Sequence, residues 1–414
     1  MRRIAIVGGG QAGLPLALSL LNKNYDVTLV TNRTPDDLRK GKVMSSQCMF
    51  QDSLQIERDA GLNQWEAMCP PVEGISLTVP HPEQPGAKLI DWGHRLDHYG
   101  QAVDQRVKMP VWMELFEQRG GKLIIQDAGV AELEELASTH DLVVLAAGKG
   151  EVVKLFERDA ARSRFDSPQR ALALTYVHSL AETPDYTRVA FNLIPTVGEY
   201  FVFPAYTHTG PCHIMVFEGL PGGPMDCWKG LSSPQEHLAT SRKILETFLP
   251  WEAERARHVE LTDANGILAG TFAPTIRKPV LRLPSGKLVF GLGDAVVVND
   301  PITGQGSNNA TKAYRVYLDA ILARGDQPYT EDWMNQTFET FWRYGQDVVA
   351  WTNSMLMPPP PHLLNLLGAA GQCPPIAKAI VNGFNNPPDF FPWWAEPQAC
   401  ERFVGEKMAE AVAA

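Results

Sequence analysis

IAIVGGGQAG, residues 4–13, decides how the rest of the chain is read. Its β-branched apolar run (Ile4, Ile6, Val7) reads as a parallel strand buried on both faces. The strand runs into Gly8, Gly10 and Gly13 at GxGxxG spacing, with Gln11 and Ala12 between the last two. Gly8 supplies a tight turn, Gly10 lets backbone approach a pyrophosphate, and Gly13 lets helix and strand pack closely. LPLALSLLN follows as a helix with Pro15 in its first turn, so its N-terminal N–H groups point at a phosphate. A second strand, YDVTLVTNR, completes the context of a dinucleotide site. It ends in Thr31, Asn32 and Arg33, where an NAD site carries Asp or Glu for the ribose 2′-OH. That ending points away from NAD and toward FAD or a phosphorylated adenosine.

The 414 residues suffice for two domains, or for one large domain with an insertion. A formal net charge of −10 disfavours a nucleic-acid backbone as partner. The opening MRRIAIV is cut at once by three glycines and reads as a strand, not a targeting segment. No stretch reaches the roughly 18 apolar residues that a membrane span needs. A cytoplasmic enzyme is therefore expected. Six scattered cysteines form no CxxC pair, so reduced thiols are expected, and no metal.

Along the chain, TPDD reads as a helix cap and residues 49–58 as helical. Between them, Lys42-Val43-Met44-Ser45-Ser46-Gln47 is either an ordinary connection or a loop beside the cofactor ring. Residues 70–99 carry turn signals between short alternating runs and predict inserted antiparallel strands. VDQRVKMPVWMELFEQ predicts a helix; Arg106 at its front is either a surface ion pair or a contact to cofactor phosphate or ribityl oxygens. HDLVVLAAGKG predicts a buried strand whose small end, Ala147-Gly148, admits a cofactor. From residue 171, long alternating runs predict a second antiparallel sheet with one face free to roof a cavity. Phe201 or Phe203, with Asn192 as a polar handle, are candidate lining residues. His178, His208 and His213 are proton donors to a cofactor or, more simply, structural.

At residue 287 the first pattern returns as KLVFGLGDAVVVNDPITGQGSNNATKAY. Strand, Gly293-Asp294, a loop with Pro301, Gly304, Gln305 and Gly306, and a helix from about Ser307-Asn308 repeat the anion-binding logic of the opening. Asp294 either caps a turn or accepts hydrogen bonds from a polyol such as the ribityl chain of FAD, and the nearby GQG favours the second. The proline- and aromatic-rich tail predicts a helical cover.

Together GGGQAG, VDQR, VVLAAG and GDAVVVNDPITGQGSNNA resemble FAD-dependent monooxygenases of the p-hydroxybenzoate hydroxylase fold, and among these the styrene and indole monooxygenases. The resemblance implies an α/β fold with a Rossmann-like FAD-binding domain (1–70, 98–165, 285–330), an inserted antiparallel β-sheet substrate-binding domain (71–97, 166–284) and a C-terminal helical cover (331–414). It implies that Gly8, Gly10 and Gly13 hold the pyrophosphate, with Ala12 in the cofactor-binding set, that Arg106 and Asp294 contact FAD, and that 301–308 lies against the isoalloxazine. Thr31, Asn32, Arg33, Lys42, Ala147 and Gly148 complete the expected cofactor set. Single-component relatives carry an Asp-Gly pair where this chain has Ala147-Gly148, which resembles the two-component enzymes. No WxWxIP halogenase motif is present.

The implied reaction uses FAD reduced by a separate NADH-flavin reductase and O₂, with a C4a-hydroperoxyflavin epoxidising or hydroxylating a small apolar aromatic or alkene. No acid, base or nucleophile is demanded; Ser45, Ser46 and Gln47 are the candidate catalytic residues, and Met44 and Ser46 candidate substrate contacts. Styrene monooxygenases have Asn-Thr where this chain has Ser45-Ser46, so the substrate is left open, as is a homodimer. An FAD-dependent dehydrogenase and a non-catalytic flavin-binding protein are the other readings.

Overall fold

A computed structural model describes residues 2–148 and 150–413; Lys149 of the AAGKG run lies outside the described residues. The first sheet has six strands in the order Val280–Arg282, Leu288–Gly291, Leu142–Leu145, Arg3–Val7, Asp26–Thr31, Lys122–Ile125. All pairings are parallel except that of Val280–Arg282 with its neighbour. From Arg3–Val7 the chain builds outward on one side, then returns to build on the other. A doubly wound sheet opens a crevice at such a switch point, beyond the carboxyl ends of its strands. Gly8, Ala146-Ala147 and Leu292-Gly293 all follow carboxyl ends there.

The second sheet runs Glu260–Leu261, Ala171–His178, Gly210–Gly219, Gly198–Thr207, Arg188–Ile194, Val72–Pro80, Lys88–Gly100. Ile267–Gly270 also pairs with Ala171–His178. The pairings are antiparallel, as expected, with one departure: Val72–Pro80 lies parallel to Arg188–Ile194. Alternation sorts its side chains into two cores. One face presents Phe191, Phe201, Phe203, Ile214 and Val216 toward Val43, Cys48, Phe50, Ile302 and the C-terminal helices. The other presents Val177, Tyr200, Val202, Met215 and Phe217 toward the helix Pro234–Phe248.

The tail is helical over Glu331–Met355, Pro361–Ala370, Pro374–Gly383 and Pro397–Ala413. Trp351 packs on Phe384, Phe390 and Trp394, and Trp92 Nε1 donates to the Leu367 carbonyl at 2.8 Å, fastening the tail to the edge strand Lys88–Gly100. Five cysteines are buried and Cys227 is exposed; none is bonded to another. Burial pushes the Cys48 thiol up to about 12, which keeps it protonated.

Behind the opening turn, Glu57 of the helix Gln51–Asp59 is fully buried. It accepts from Lys108 Nζ at 2.8 and 2.9 Å and from Gln11 Nε2 at 2.6 Å. Removing one charge of such a pair strands the other in a dry interior. Lys108→Met is expected to cost about 3–5 kcal/mol in urea unfolding. Glu57→Leu combined with Lys108→Met recovers most of that loss, because no lone charge remains.

Candidate active site

The opening turn is fixed by sterics. A Cβ on Gly8, whose φ is +122°, would stand 2.6 Å from the Ala146 and Ala147 backbone, and one on Gly13 would stand 2.0 Å from the Gly8 carbonyl oxygen. Gly10 differs: its Cβ would meet nothing within 4 Å. The helix Gly13–Leu21 starts at Ala12 with no capping side chain; Leu14 N donates to the Gly10 carbonyl at 3.1 Å and Pro15 has no N–H, so Gly13 is the first-turn N–H that the helix offers a ligand.

The second glycine turn arrives at the same place. A Cβ on Gly293 would lie 3.1 Å from the Ala12 side chain, and one on Gly148 3.2 Å from Asp294 Oδ2. Pro301–Thr303 then forms a single turn capped by Asp300, and Gly304 takes the left-handed conformation at φ +65°. The helix Gly306–Arg324 also begins without a capping side chain, at Gln305. Within these otherwise buried stretches, Gly148 and Asp294 are exposed, and Gly10, Ala147, Pro301, Gly304, Gly306 and Ser307 are half-buried. They line the switch point, where a doubly wound sheet leaves its crevice.

The end of the second strand borders this cleft. Thr31 Oγ1 would lie 3.3 Å from a Cβ on Gly9, Asn32 is exposed, and Arg33 Nη2 reaches Met44 Sδ at 2.9 Å. The 41–47 segment is stitched in place from several directions. Val43 N donates to Asn265 O (3.0 Å), Tyr176 OH to Ser45 O (2.8 Å) and Gln105 Nε2 to Ser45 Oγ (3.0 Å). Lys42 is exposed, and Met44, Ser45 and Ser46 are half-buried.

Several expected ligand contacts turn out to hold protein instead. Gln47 is buried with both amide ends occupied, accepting from Ser45 Oγ and donating to the Val103 carbonyl. A candidate catalyst by sequence, it is a brace for the loop. Asn308 accepts from Phe50 N and donates to the Cys48 and Gly304 carbonyls, tying the second turn to residues 48–50. Gln305 Nε2 donates to Phe384 O at 2.9 Å, tying that turn to the tail.

Arg106 is 1 % exposed, so the surface ion-pair reading is wrong. Its Nε donates to Asp104 (2.8 Å), and its two terminal nitrogens fork onto Asp263 (2.9 and 3.0 Å) with longer reaches to Gly41 O and Thr207 Oγ1. Every guanidinium N–H thus faces a protein acceptor, and the expected direct contact to cofactor gives way to a positioning role. Burial opposes the charge on Arg106, but the bonds to Asp263 and the pull of Asp104 outweigh it and hold its pKa above the usual value.

Asn192 is corrected as well. It pairs across the sheet with Tyr200, on the face opposite Phe201 and Phe203, and accepts from Trp251 Nε1 at 2.9 Å. Even-numbered Asn192 does not share a face with odd-numbered Phe201 and Phe203; the register pairs Phe191 with Phe201, and those rings stack at 5.4 Å. Each of the three histidines has protein partners. His178 meets Pro211 O and Thr209 Oγ1, His213 lies 3.6 Å from Glu182, and His208 lies 3.7 Å from Asp263.

Comparison with known structures places the fold among flavin-dependent oxygenases and halogenases. It resembles the flavin-dependent brominase Bmp2 (TM-score 0.68, 13% identity, 98% of this chain and 99% of that one). It also resembles Pseudomonas aeruginosa PqsL (TM-score 0.59, 17% identity, 86% and 95%). Residues 148–255 match the family model described as "Styrene monooxygenase A putative substrate binding domain". The styrene monooxygenase StyA of Pseudomonas fluorescens is 30% identical, with 93% of each chain covered; that of a Pseudomonas sp is also 30% identical, over 97% of this chain and 98% of its own. The chain belongs to the styrene monooxygenase family of two-component FAD-dependent monooxygenases. Its residues fit FAD: Gly10 leaves open space for a pyrophosphate, and two uncapped helix N-termini converge on the cleft.

The two glycines of the opening turn separate binding from folding. Gly13→Ala is expected to destabilise the protein by about 3 kcal/mol, the upper range for an overpacked site. Gly10→Ala keeps the wild-type unfolding midpoint while weakening FAD about tenfold by titration of flavin fluorescence, roughly the loss of one close backbone contact.

Proposed function

We propose that this enzyme transfers one oxygen atom from O₂ to a small apolar aromatic or alkene of styrene- or indole-like shape. The observation that carries this reading is the apolar face of the second sheet. Phe191, Phe201 and Phe203 form a ring stack that packs toward Val43, Cys48 and Phe50, on either side of the 44–47 loop, and toward Ile302 of the second glycine turn. In this reading residues 1–70, 98–165 and 285–330 bind FAD, 71–97 and 166–284 form the substrate roof, and 331–414 cover it.

The reduced flavin, delivered by a separate NADH-flavin reductase, supplies the activated oxygen. The chain's own work is positional. Thr31, Asn32, Arg33, Lys42, Ala147, Gly148 and Asp294 border the cofactor, while 301–308 lies along its ring. Met44 and Ser46 stand between ring and roof. The aromatic roof excludes water and orients a flat apolar substrate without any charged group. Ser45 is held too firmly, by Tyr176 and Gln105, to move as an acid or base.

Chemically reduced FAD and oxygen, supplied with styrene, indole or a thioether, are expected to give a product heavier by one oxygen in mass spectrometry. NADH alone is expected to reduce the bound FAD slowly, and adding a flavin reductase to restore turnover. Absence of any oxygenated product, or rapid reduction by NADH without reductase, overturns the proposal. Phe201→Leu is expected to lower kcat/KM for an aromatic substrate by about tenfold, the scale for lost apolar pocket contact. Asn192→Ala, on the far face of the sheet, is expected to leave KM unchanged.

A further inference from the structure

Beneath the second glycine turn lies a buried acid cluster that oxygen transfer as described does not use. Strand pairing sets Glu218 directly opposite Glu199, and both are buried, with Arg170 and Asp300 beside them. Arg170 forks onto Glu199, Nε to Oε2 at 2.7 Å and Nη2 to Oε1 at 2.9 Å. Its remaining nitrogen donates to the Gln169 and Leu356 carbonyls. Arg170 thus makes four hydrogen bonds, none of them to Glu218.

Glu218 instead faces Asp300, carboxyl to carboxyl within hydrogen-bonding reach. Asp300 Oδ1 accepts from Ile302 N at 3.1 Å and so caps the turn Pro301–Thr303. Among the described residues no donor reaches Glu218 Oε1, Glu218 Oε2 or Asp300 Oδ2. Two carboxylates in contact, shut away from water, cannot both carry charge. The one hydrogen able to join them is a proton held by one of the two.

We propose that Glu218 and Asp300 share a single proton, and that this bond fastens the substrate sheet to the 301–308 turn, making Glu218 a positioning residue for FAD. The proposal rests on the reading that this turn lies along the flavin ring. The charged groups facing the pair are Arg170 and Glu199. Burial raises Glu218, Asp300 and Glu199 above the usual carboxyl range, against the pull of Arg170. A carboxyl raised in this way stabilises the fold fully below its unfolded pKa, and the contribution is lost as pH rises through the folded value.

The test uses the full-length protein with FAD. Wild type is expected to show a carboxylic-acid C=O infrared band at neutral pH, absent in Glu218→Gln. As pH is raised, that band and FAD affinity are lost with one midpoint, affinity falling by about tenfold per pH unit beyond it. Glu218→Gln, whose amide N–H donates to Asp300 at every pH, binds FAD with no such fall. Glu218→Ala binds weakly throughout. No acid band in the wild type, affinity that falls while the band persists, or Glu218→Ala binding like wild type each overturns the proposal. Gly304→Val separates the two levels. If it weakens FAD while Glu218→Ala does not, the proton bridge fails; if neither does, the placement of the turn against the flavin fails.

Discussion

The buried fork of Arg106 onto Asp104 and Asp263 is the contact on which the arrangement of the cleft depends. Asp104 caps the helix Gln105–Gln118 of the nucleotide-binding part and accepts from Thr207 Oγ1 at 2.6 Å, at the end of a strand in the second sheet. Asp263 belongs to the loop that also holds Val43 through Asn265. One guanidinium therefore fixes the first sheet's helix, the end of an interior strand of the second sheet and the 262–266 loop. Burying three charges together is costly, and a hydrophobic replacement of equal shape could be as stable. What the ions provide is geometry: a planar guanidinium donates to its two carboxylates in one orientation only.

Around that hub, the glycine turns and the aromatic sheet face differ in the chemistry of backbone and side chain. The switch point is bordered by glycine turns and by helix starts without side-chain caps. Its polar side chains mostly look inward: Gln11 toward Glu57 and Thr311, Asn308 toward Phe50 and Cys48, Gln305 toward Phe384. The face of the second sheet that carries Phe191, Phe201 and Phe203 is aromatic and apolar. Such a division suits a reaction in which the cofactor performs the chemistry and the protein excludes water.

The acid cluster of Glu199, Glu218, Asp300 and Arg170 illustrates what a linear reading misses. Glu199 and Glu218 sit at the two ends of a hairpin and Asp300 some eighty residues later, with no spacing to join them. A search for paired carboxylates along the chain finds none. Only the register of Gly198–Thr207 against Gly210–Gly219, and the return of the chain at Pro301, bring them into contact. Asn192 fails for the same reason in reverse: alternation orders residues within one strand but leaves the phase between strands to register.

Local constraints were enough to determine the opening strand, the GxGxxG turn and its helix, because a glycine demanded by sterics is visible in a single chain. The same held for the second glycine turn and for the alternating strands, whose period is a property of consecutive residues. Tertiary structure alone decided that the two turns meet at one switch point, and which sheet face looks toward them. It also decided that Arg106, Gln47 and Asn308 serve protein acceptors. These outcomes depend on which distant groups satisfy a buried donor, and a buried donor takes whatever acceptor the fold brings within about 3 Å.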